Sequence, residues 1–236
     1  MRICVLSDVH GNAVALQKVI DECSSQSIDR YIFLGDLLIK GPSPGTAYEQ
    51  MVNLDPICWI RGNTDEAFDL EHEWDTMIKD NVILNYLKYP LSQLNKESIN
   101  FLLSLNYKES LEIDGIKILC THGSPRDISE NIYPFISEDE LDEILEGVTE
   151  DLILCGHTHY PMLRTYNGKT IFNPGSISFS DENSKIISYG ILEIDNGNYL
   201  CSFKVLNYDK DAVVKNAIIN DMPNIDNFKK LIDYNK

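Results

Sequence analysis

From Leu152 to Cys155 the chain runs apolar, then breaks at Gly156 and presents His157 and His159 with a single residue between them. A short apolar run bounded in this way reads as a buried strand. Gly156 is expected to free the backbone so that both imidazoles leave the strand end together. Two histidines at one strand end suit a metal ion, yet a His-x-His pair is equally at home among hydrogen-bonded structural residues. Other strand ends in the chain decide between the two.

The same design recurs. Residues 2 to 6 read as a central strand that ends in Ser7-Asp8-Val9-His10-Gly11-Asn12, with Asn12 placed to cap a helix whose apolar positions Ala13, Leu16, Val19, Ile20 and Cys23 follow helical spacing. Tyr31 to Leu34 is a second strand, ending in Gly35-Asp36. Strand, helix and strand make a βαβ unit whose parallel strands bring their C-terminal ends to one edge, so Asp8, His10 and Asp36 share that edge. Gly41-Pro42-Ser43-Pro44-Gly45 reads as a rigid turn before a helix over Thr46 to Leu54, and Ile57 to Ile60 form a third strand ending in Arg61-Gly62-Asn63-Thr64-Asp65.

Glu66 to Leu105 is helical material: Phe68 to Lys79, Asn81 to Tyr89, a break at Pro90, then Ser98 to Leu105. Because it interrupts the strand series, it is expected to cover the strand ends as a cap. A hairpin turning at Asp114-Gly115 follows, and its second strand, Ile116 to Cys120, ends at Thr121-His122-Gly123-Ser124-Pro125. Ser137-Glu138-Asp139-Glu140 is a capping box for an amphipathic helix. After the two histidines come hairpins at Asn167-Gly168 and Asn196-Gly197, separated by the corner Asn173-Pro174-Gly175-Ser176. These elements organise as one domain over residues 1–208, with 66–105 as a cap-like insertion and 209–236 as an appended helical tail.

Of the five histidines in the chain, only His72 lies away from a strand end. Asp8, His10, Asp36, Asn63, His122, His157 and His159 are all oxygen or nitrogen donors, a set that suits divalent first-row metals. They are too many for one tetrahedral zinc. Two ions about 3.5–4 Å apart would need a carboxylate to bridge them, and Asp36 is the candidate. Two dications against two carboxylates, neutral imidazoles and an amide leave a positive site, which attracts a phosphoryl group and acidifies water for attack on it.

The formal net charge of −17 over 236 residues repels polyanions and argues against duplex nucleic acid or an anionic membrane as partner. The opening apolar run, Ile3 to Leu6, is too short for a signal-peptide core, which leads to the expectation of a cytoplasmic protein. Six cysteines without CxxC pairing read as buried reduced thiols.

In the blocks Asp8-Val9-His10-Gly11-Asn12, Gly35-Asp36 through Gly41-Pro42, Arg61-Gly62-Asn63, His122-Gly123-Ser124-Pro125, Gly156-His157-Thr158-His159 and Asn173-Pro174-Gly175-Ser176, taken in this order, the chain resembles the calcineurin-like metallophosphoesterase superfamily. The likeness is to its small bacterial and archaeal phosphatases and phosphodiesterases. It implies an α/β fold, a four-layer α/β/β/α sandwich of two mixed β-sheets flanked by helices. It implies that Asp8, His10, Asp36 and His159 hold one metal and that Asp36, Asn63, His122 and His157 hold the other. Manganese or iron is the implied metal, with nickel, cobalt or zinc as alternatives.

Many relatives carry a histidine directly after the asparagine, read as the acid that protonates the leaving oxygen. This chain has Thr64 there. His72, between Glu71 and Glu73, is the candidate replacement acid, set against a plain solvated histidine on an acidic helix. Asn63, Arg61 and Arg126 are the candidate substrate contacts. The expected activity is hydrolysis of phosphomonoesters or small phosphodiesters. The resemblance leaves phosphoserine and phosphothreonine in proteins, and dinucleoside polyphosphates, open as substrates. The contrasting expectation is a metal-stabilised interaction scaffold without catalysis.

Overall fold

The computed structural model describes residues 1–179, 186–232 and 234. Strands β1 (Arg2–Leu6), β2 (Arg30–Phe33) and β3 (Cys58–Trp59) are parallel neighbours, separated in the chain by helices α1 (Ala13–Ser24) and α2 (Pro44–Leu54). After β3 the chain forms α3 (Asn63–Glu66), a 3-10 segment over Ala67–Glu73, α4 (Trp74–Met77), α5 (Asn81–Lys88), a 3-10 turn over Tyr89–Ser92, and α6 (Lys96–Ser104). A second run follows with β4 (Lys108–Ile113), β5 (Ile116–Thr121), α7 (Glu138–Ile144), β6 (Leu152–Leu154), β7 (Met162–Tyr166) and β8 (Lys169–Asn173). The chain then returns to the first sheet with β9 (Ile187–Asp195) and β10 (Asn198–Leu206), and closes with α8 (Lys210–Ile219) and α9 (Ile225–Leu231).

Two five-stranded mixed sheets result, ordered β10-β9-β1-β2-β3 and β4-β5-β6-β8-β7. Side-chain alternation explains how they stack. Ile3 and Val5 of β1 face the second sheet and pack with Ile118 and Cys120 of β5 and Leu152 and Leu154 of β6, while Cys4 and Leu6 face the layer of α1 and α2. On the far side, Leu119 and Ile153 meet Leu141 and Ile144 of α7. Helix, sheet, sheet and helix therefore form four layers, and β1, buried on both faces, reads as apolar throughout.

The turns follow their residue chemistry. Asp114-Gly115, Asn167-Gly168 and Asn196-Gly197 all carry positive φ at both central residues, the two-residue hairpin geometry that matches strand twist. Asn12 caps α1 by accepting from the Ala15 N–H, and Ser137 with Glu140 closes the capping box of α7. Local context shifts some expected boundaries. Pro44 opens α2 as its first helical residue rather than belonging to the preceding turn, because its fixed φ suits the first turn and no N–H is missed there. The helix expected over Phe68 to Lys79 is instead a 3-10 segment followed by the single turn of α4.

Phe68, Trp74, Ile99 and Leu102 anchor the 66–105 stretch in the same core that α1 and α2 cover. The closing helices are equally well seated. Val213, Val214, Ala217 and Phe228 pack with Tyr86 and Tyr89 and against Val14 of α1. Residues 233, 235 and 236 of the expected tail lie outside the described residues. All six cysteines are buried and unpaired. Among the described residues no helix is long and apolar enough to cross a membrane.

Candidate metal centre

The strand ends converge as the βαβ spacing requires. Asp8 and His10 follow β1, Asp36 follows β2, Asn63 follows β3, His122 follows β5, and His157 and His159 follow β6. Asp8, His10, Asp36, His122 and His159 are buried, whereas Asn63 and His157 are half-buried, so the cluster opens toward those two residues. Asp8 Oδ1 lies 3.3 Å from His159 Nε2 and 3.8 Å from His10 Nε2. Asp36 divides its oxygens, with Oδ2 3.6 Å from His10 Nε2 and Oδ1 3.4 Å from His122 Nε2. Asn63 Oδ1 lies 3.0 Å from His122 Nε2 and 2.9 Å from His157 Nδ1.

Backbone carbonyls fix which imidazole nitrogens face inward. The Nδ1 of His10 contacts the Ile39 carbonyl at 2.9 Å, that of His159 the Phe179 carbonyl at 2.8 Å, and that of His122 the Leu34 carbonyl at 2.6 Å. Each Nδ1 therefore carries the proton it donates, and each ring turns its Nε2 into the cluster. The Nε2 atoms of His10 and His159 lie 3.1 Å apart. In the neutral Nδ1–H tautomer these are two facing lone pairs, which repel unless a cation lies between them and the neighbouring carboxylates. Asp8 Oδ1 is buried there without a hydrogen-bond donor. Donors from Asp8, His10 and His159, and from Asp8, Asp36 and His122, fall within 4.8 Å of one another. The donor set fits divalent metal.

Charge within the cluster follows from the same contacts. Burial works against the Asp8 carboxylate, but the imidazoles of His159 and His122 hold it down at about 2. Burial also opposes the charge on Asp36, and His122 with His10 reverses this, keeping Asp36 well below the usual carboxylate range. Burial and the Lys40 ammonium keep His10 neutral. His122 is raised to about 9, since the Asp36 carboxylate overcomes the cost of burying its charge. His157 is lowered by burial and by His122.

The backbone at these positions is unusual. Asp8, His10, Asp36, His157 and His159 all have positive φ, between +49° and +66°. Such strain clusters where the surroundings over-determine a side chain's aim. Here the Asp8, His10 and Gly11 amides donate to the Gly35, Asp36 and Leu37 carbonyls. Gly156 plays a different part from the one expected of it. The left-handed turns belong to the histidines themselves, and Gly156 is needed for closeness, because a Cβ there would stand 2.0 Å from Ser7 Oγ and 2.9 Å from Asp8 Oδ2. Asn173, from the corner after β8, supports that turn by donating to the Gly156 carbonyl at 2.6 Å and to Thr158 Oγ1 at 3.1 Å.

Other candidates lie elsewhere. His72 is 74% exposed, with Nε2 3.4 Å from Glu73, and no described contact brings it to the cluster. Arg61 donates to Asp69, Glu66 and the Leu103 carbonyl, tying the 66–105 stretch to β3. Arg126 is forked onto Glu130 and reaches Glu143 of α7. Both guanidiniums, expected to meet substrate, are held by acidic neighbours that sequence spacing did not reveal.

Three residues at the centre went unassigned in the sequence. Lys40 Nζ lies 3.4 Å from His10 Nε2 and 5.6 Å above the Phe179 ring. Phe179 packs its ring on His10 and His159. Asp65 is buried and accepts from the Asp36, Leu37 and Gly62 amides, and burial with the Asp36 charge pushes its carboxyl up to about 7. A basic residue in the loop directly after Asp36, and an acid two residues past Asn63, were the available signals.

Comparison with known proteins now decides the family. Residues 1–197 match the model of the calcineurin-like phosphoesterase superfamily domain. The chain belongs to that superfamily. An uncharacterized protein of Methanocaldococcus jannaschii is 26% identical over 188 residues, covering 80% of this chain and 74% of its own. The phosphodiesterase YfcE of Escherichia coli K12 is 22% identical, covering 83% of this chain and 89% of its own. The crystal structure of a metallophosphoesterase from Sphaerobacter thermophilus superposes with a TM-score of 0.80 at 24% identity, covering 98% of each chain, which shows the shared fold.

Proposed function

We propose that this calcineurin-like phosphoesterase hydrolyses phosphomonoesters or small phosphodiesters with the help of two divalent cations. Asp8, His10, Asp36 and His159 hold one, and Asp36, Asn63, His122 and His157 hold the other. Manganese or iron is the native metal in this reading, with nickel, cobalt or zinc as substitutes. The observation that carries it is the 3.1 Å approach of the His10 and His159 Nε2 atoms beside the donor-less Asp8 Oδ1. When bound, the ions supply positive charge for the phosphoryl oxygens and lower the pKa of water.

The chain's own groups do the rest. Asp36, with its oxygens turned to different histidines, sets the spacing of the two donor sets. Lys40 is the local cation that an acidic protein needs in order to accept a phosphate, and its ammonium lies over the Phe179 ring. Thr64 holds Asp36 Oδ1 through its amide at 2.9 Å, and its hydroxyl is too weak an acid to protonate a poor leaving group. The substrate is a small phosphoester or a phosphorylated protein side chain, and the net charge of −17 weighs against duplex nucleic acid and anionic membranes.

The test is turnover of a phosphoester panel by protein stripped of metal and reconstituted with manganese. Activity that appears with the metal and disappears with chelator supports the reading. Full activity after thorough chelation overturns it. Two bound ions without turnover of any ester favours the scaffold.

A further inference from the structure

A row of aromatic rings leads away from the metal centre and takes no part in the chemistry above. Tyr160 follows His159 in the chain, and Tyr133 meets it edge-on, with centroids 5.6 Å apart and planes at 77°. Phe135 then lies flat against Tyr133, with centroids 5.2 Å apart and planes within 4°. These separations are those of attractive edge-to-face and offset-stacked pairs. Phe135 is 79% exposed, so one face of its ring is covered by Tyr133 and the other is open to solvent.

An exposed ring on a loose loop would carry little meaning, but this loop is braced from several sides. Ile132 is buried with Leu141 and Ile144 of α7. Arg126 forks onto Glu130, which also accepts from Ser124 Oγ at 2.5 Å, and Arg126 reaches across to Glu143. Arg164 of β7 donates to the Ile136 carbonyl at 2.6 Å, and the Ile136 amide closes a turn onto Tyr133 at 3.1 Å. The same loop begins at His122, its Asp127 and Ile128 carbonyls lie against Gly123, and Tyr133 packs on Tyr160, the residue next to His159. The rings are thus held in place beside the mouth of the site, and pre-positioning lowers the entropic cost of binding against them.

We propose that Tyr133 and Phe135 form a stacking shelf for the base of a nucleoside phosphoester whose phosphate sits at the metal centre; for the position of the phosphate this rests on the hydrolase reading. Two centroid steps separate Phe135 from Tyr160. Phe135 thus lies beyond Tyr133 in the row that starts next to His159, and the sugar of a nucleotide supplies a spacer between phosphate and base. Stacking on an aromatic ring is available to every base, so the shelf selects for the presence of a base rather than its identity. The acidic surroundings, with Glu130, Glu138, Glu140 and Glu143 on this loop and helix, favour a single nucleotide over a polyanionic strand.

The experiment uses the full-length, manganese-loaded protein and two diesters with a common p-nitrophenolate leaving group, thymidine 5′-(p-nitrophenyl phosphate) and methyl p-nitrophenyl phosphate. The ratio of their kcat/KM values isolates the base. The ratio is expected to favour the nucleoside roughly tenfold, mostly through KM, and to fall toward one in Phe135→Ala and Tyr133→Ala. Phe135→Trp is expected to keep it, and Phe135→Leu, apolar without a π face, to lose most of it. Calorimetric binding of the 5′-phosphonate analogue of adenosine monophosphate against that of ribose 5-phosphate, in which a carbon–phosphorus bond replaces the ester, should show the same preference without any turnover. A wild-type protein indifferent to the base in both measurements, or a preference untouched in Phe135→Ala, overturns the shelf. A base preference in binding that Phe135→Ala erases, with neither diester hydrolysed, upholds the shelf and removes the hydrolase reading. Turnover of both diesters at equal efficiency with no binding preference does the reverse.

Discussion

Gly62 and Asp36 lie so close that a Cβ on the glycine would stand 2.1 Å from Asp36 Oδ1 and 2.3 Å from the Asp36 amide nitrogen. Oδ1 is the oxygen turned to His122, so any side chain at position 62 displaces the carboxylate that links the two donor sets. Gly62→Ala and Asp36→Asn are both expected to lower the metal content of both positions and to cut activity by on the order of 10–100-fold or more. Asn63→Ala, which removes a donor from one position, should weaken one ion more than the other. Metal analysis after dialysis separates the cases. An Asp36→Asn protein that keeps two ions and full turnover would remove Asp36 from its linking role.

In the metal-free protein His122 is raised to about 9, with the Asp36 carboxylate nearby and Nε2 aimed at Asn63 Oδ1. The proton on Nε2 occupies the direction a metal would take, so binding must release it. The sign follows: below pH 9 protonation competes with metal, and apparent affinity should rise with pH until about 9 and then level. For stability the direction is opposite. A raised histidine stabilises the metal-free fold fully below its unfolded value near 6.5, and that contribution fades as pH climbs through about 9. Titration calorimetry in buffers of different ionisation enthalpy measures the released proton, and a pH-independent affinity between 6.5 and 9 would contradict it.

Asp65 gathers the amides of Asp36, Leu37 and Gly62 and thereby fixes two strand ends against each other. Asp65→Ala leaves these buried donors without an acceptor, at about 1–3 kcal/mol each, so a loss of at least about 3 kcal/mol is expected, or roughly 6–12 °C in Tm. Asp65→Asn keeps one acceptor oxygen and should cost less. Thermal denaturation of the metal-free proteins provides the comparison, and an unchanged midpoint in Asp65→Ala would show that water satisfies the amides.

With Thr64 where a proton donor often stands, rates should depend steeply on leaving-group pKa, and aryl phosphates should outpace alkyl phosphates. A general acid contributes ~10²–10⁴-fold, which sets the size of the expected gap. Since His72 is largely exposed and engaged with Glu73, His72→Ala should leave the aryl-to-alkyl ratio within about twofold of the parent, far below the effect of losing such an acid. A selective collapse of alkyl turnover in that variant would mean that the 3-10 segment carrying His72 swings over the site.

The sequence by itself determined the strand series, the hairpin turns, the helix caps and the convergence of Asp8, His10, Asp36, Asn63, His122, His157 and His159. These are local consequences of hydrophobic period and turn chemistry, combined with one topological fact: parallel strands end at a common edge. Tertiary structure decided which groups remain available once the strand ends meet. Arg61 and Arg126 stood in the sequence as candidate substrate contacts but are bound by acidic neighbours: half-buried Arg61 by Asp69 and Glu66, since a guanidinium withdrawn from water is costly unless paired, and exposed Arg126 by Glu130 and Glu143, which the fold brings within reach. Lys40 and Phe179 went unassigned in the sequence and border the candidate metal centre, brought there by chain separations that no periodicity encodes. Strain was decided at the same level. Left-handed backbone at Asp8 or His157 is unfavourable residue by residue and persists only because hydrogen bonds from neighbouring strand ends hold each turn closed.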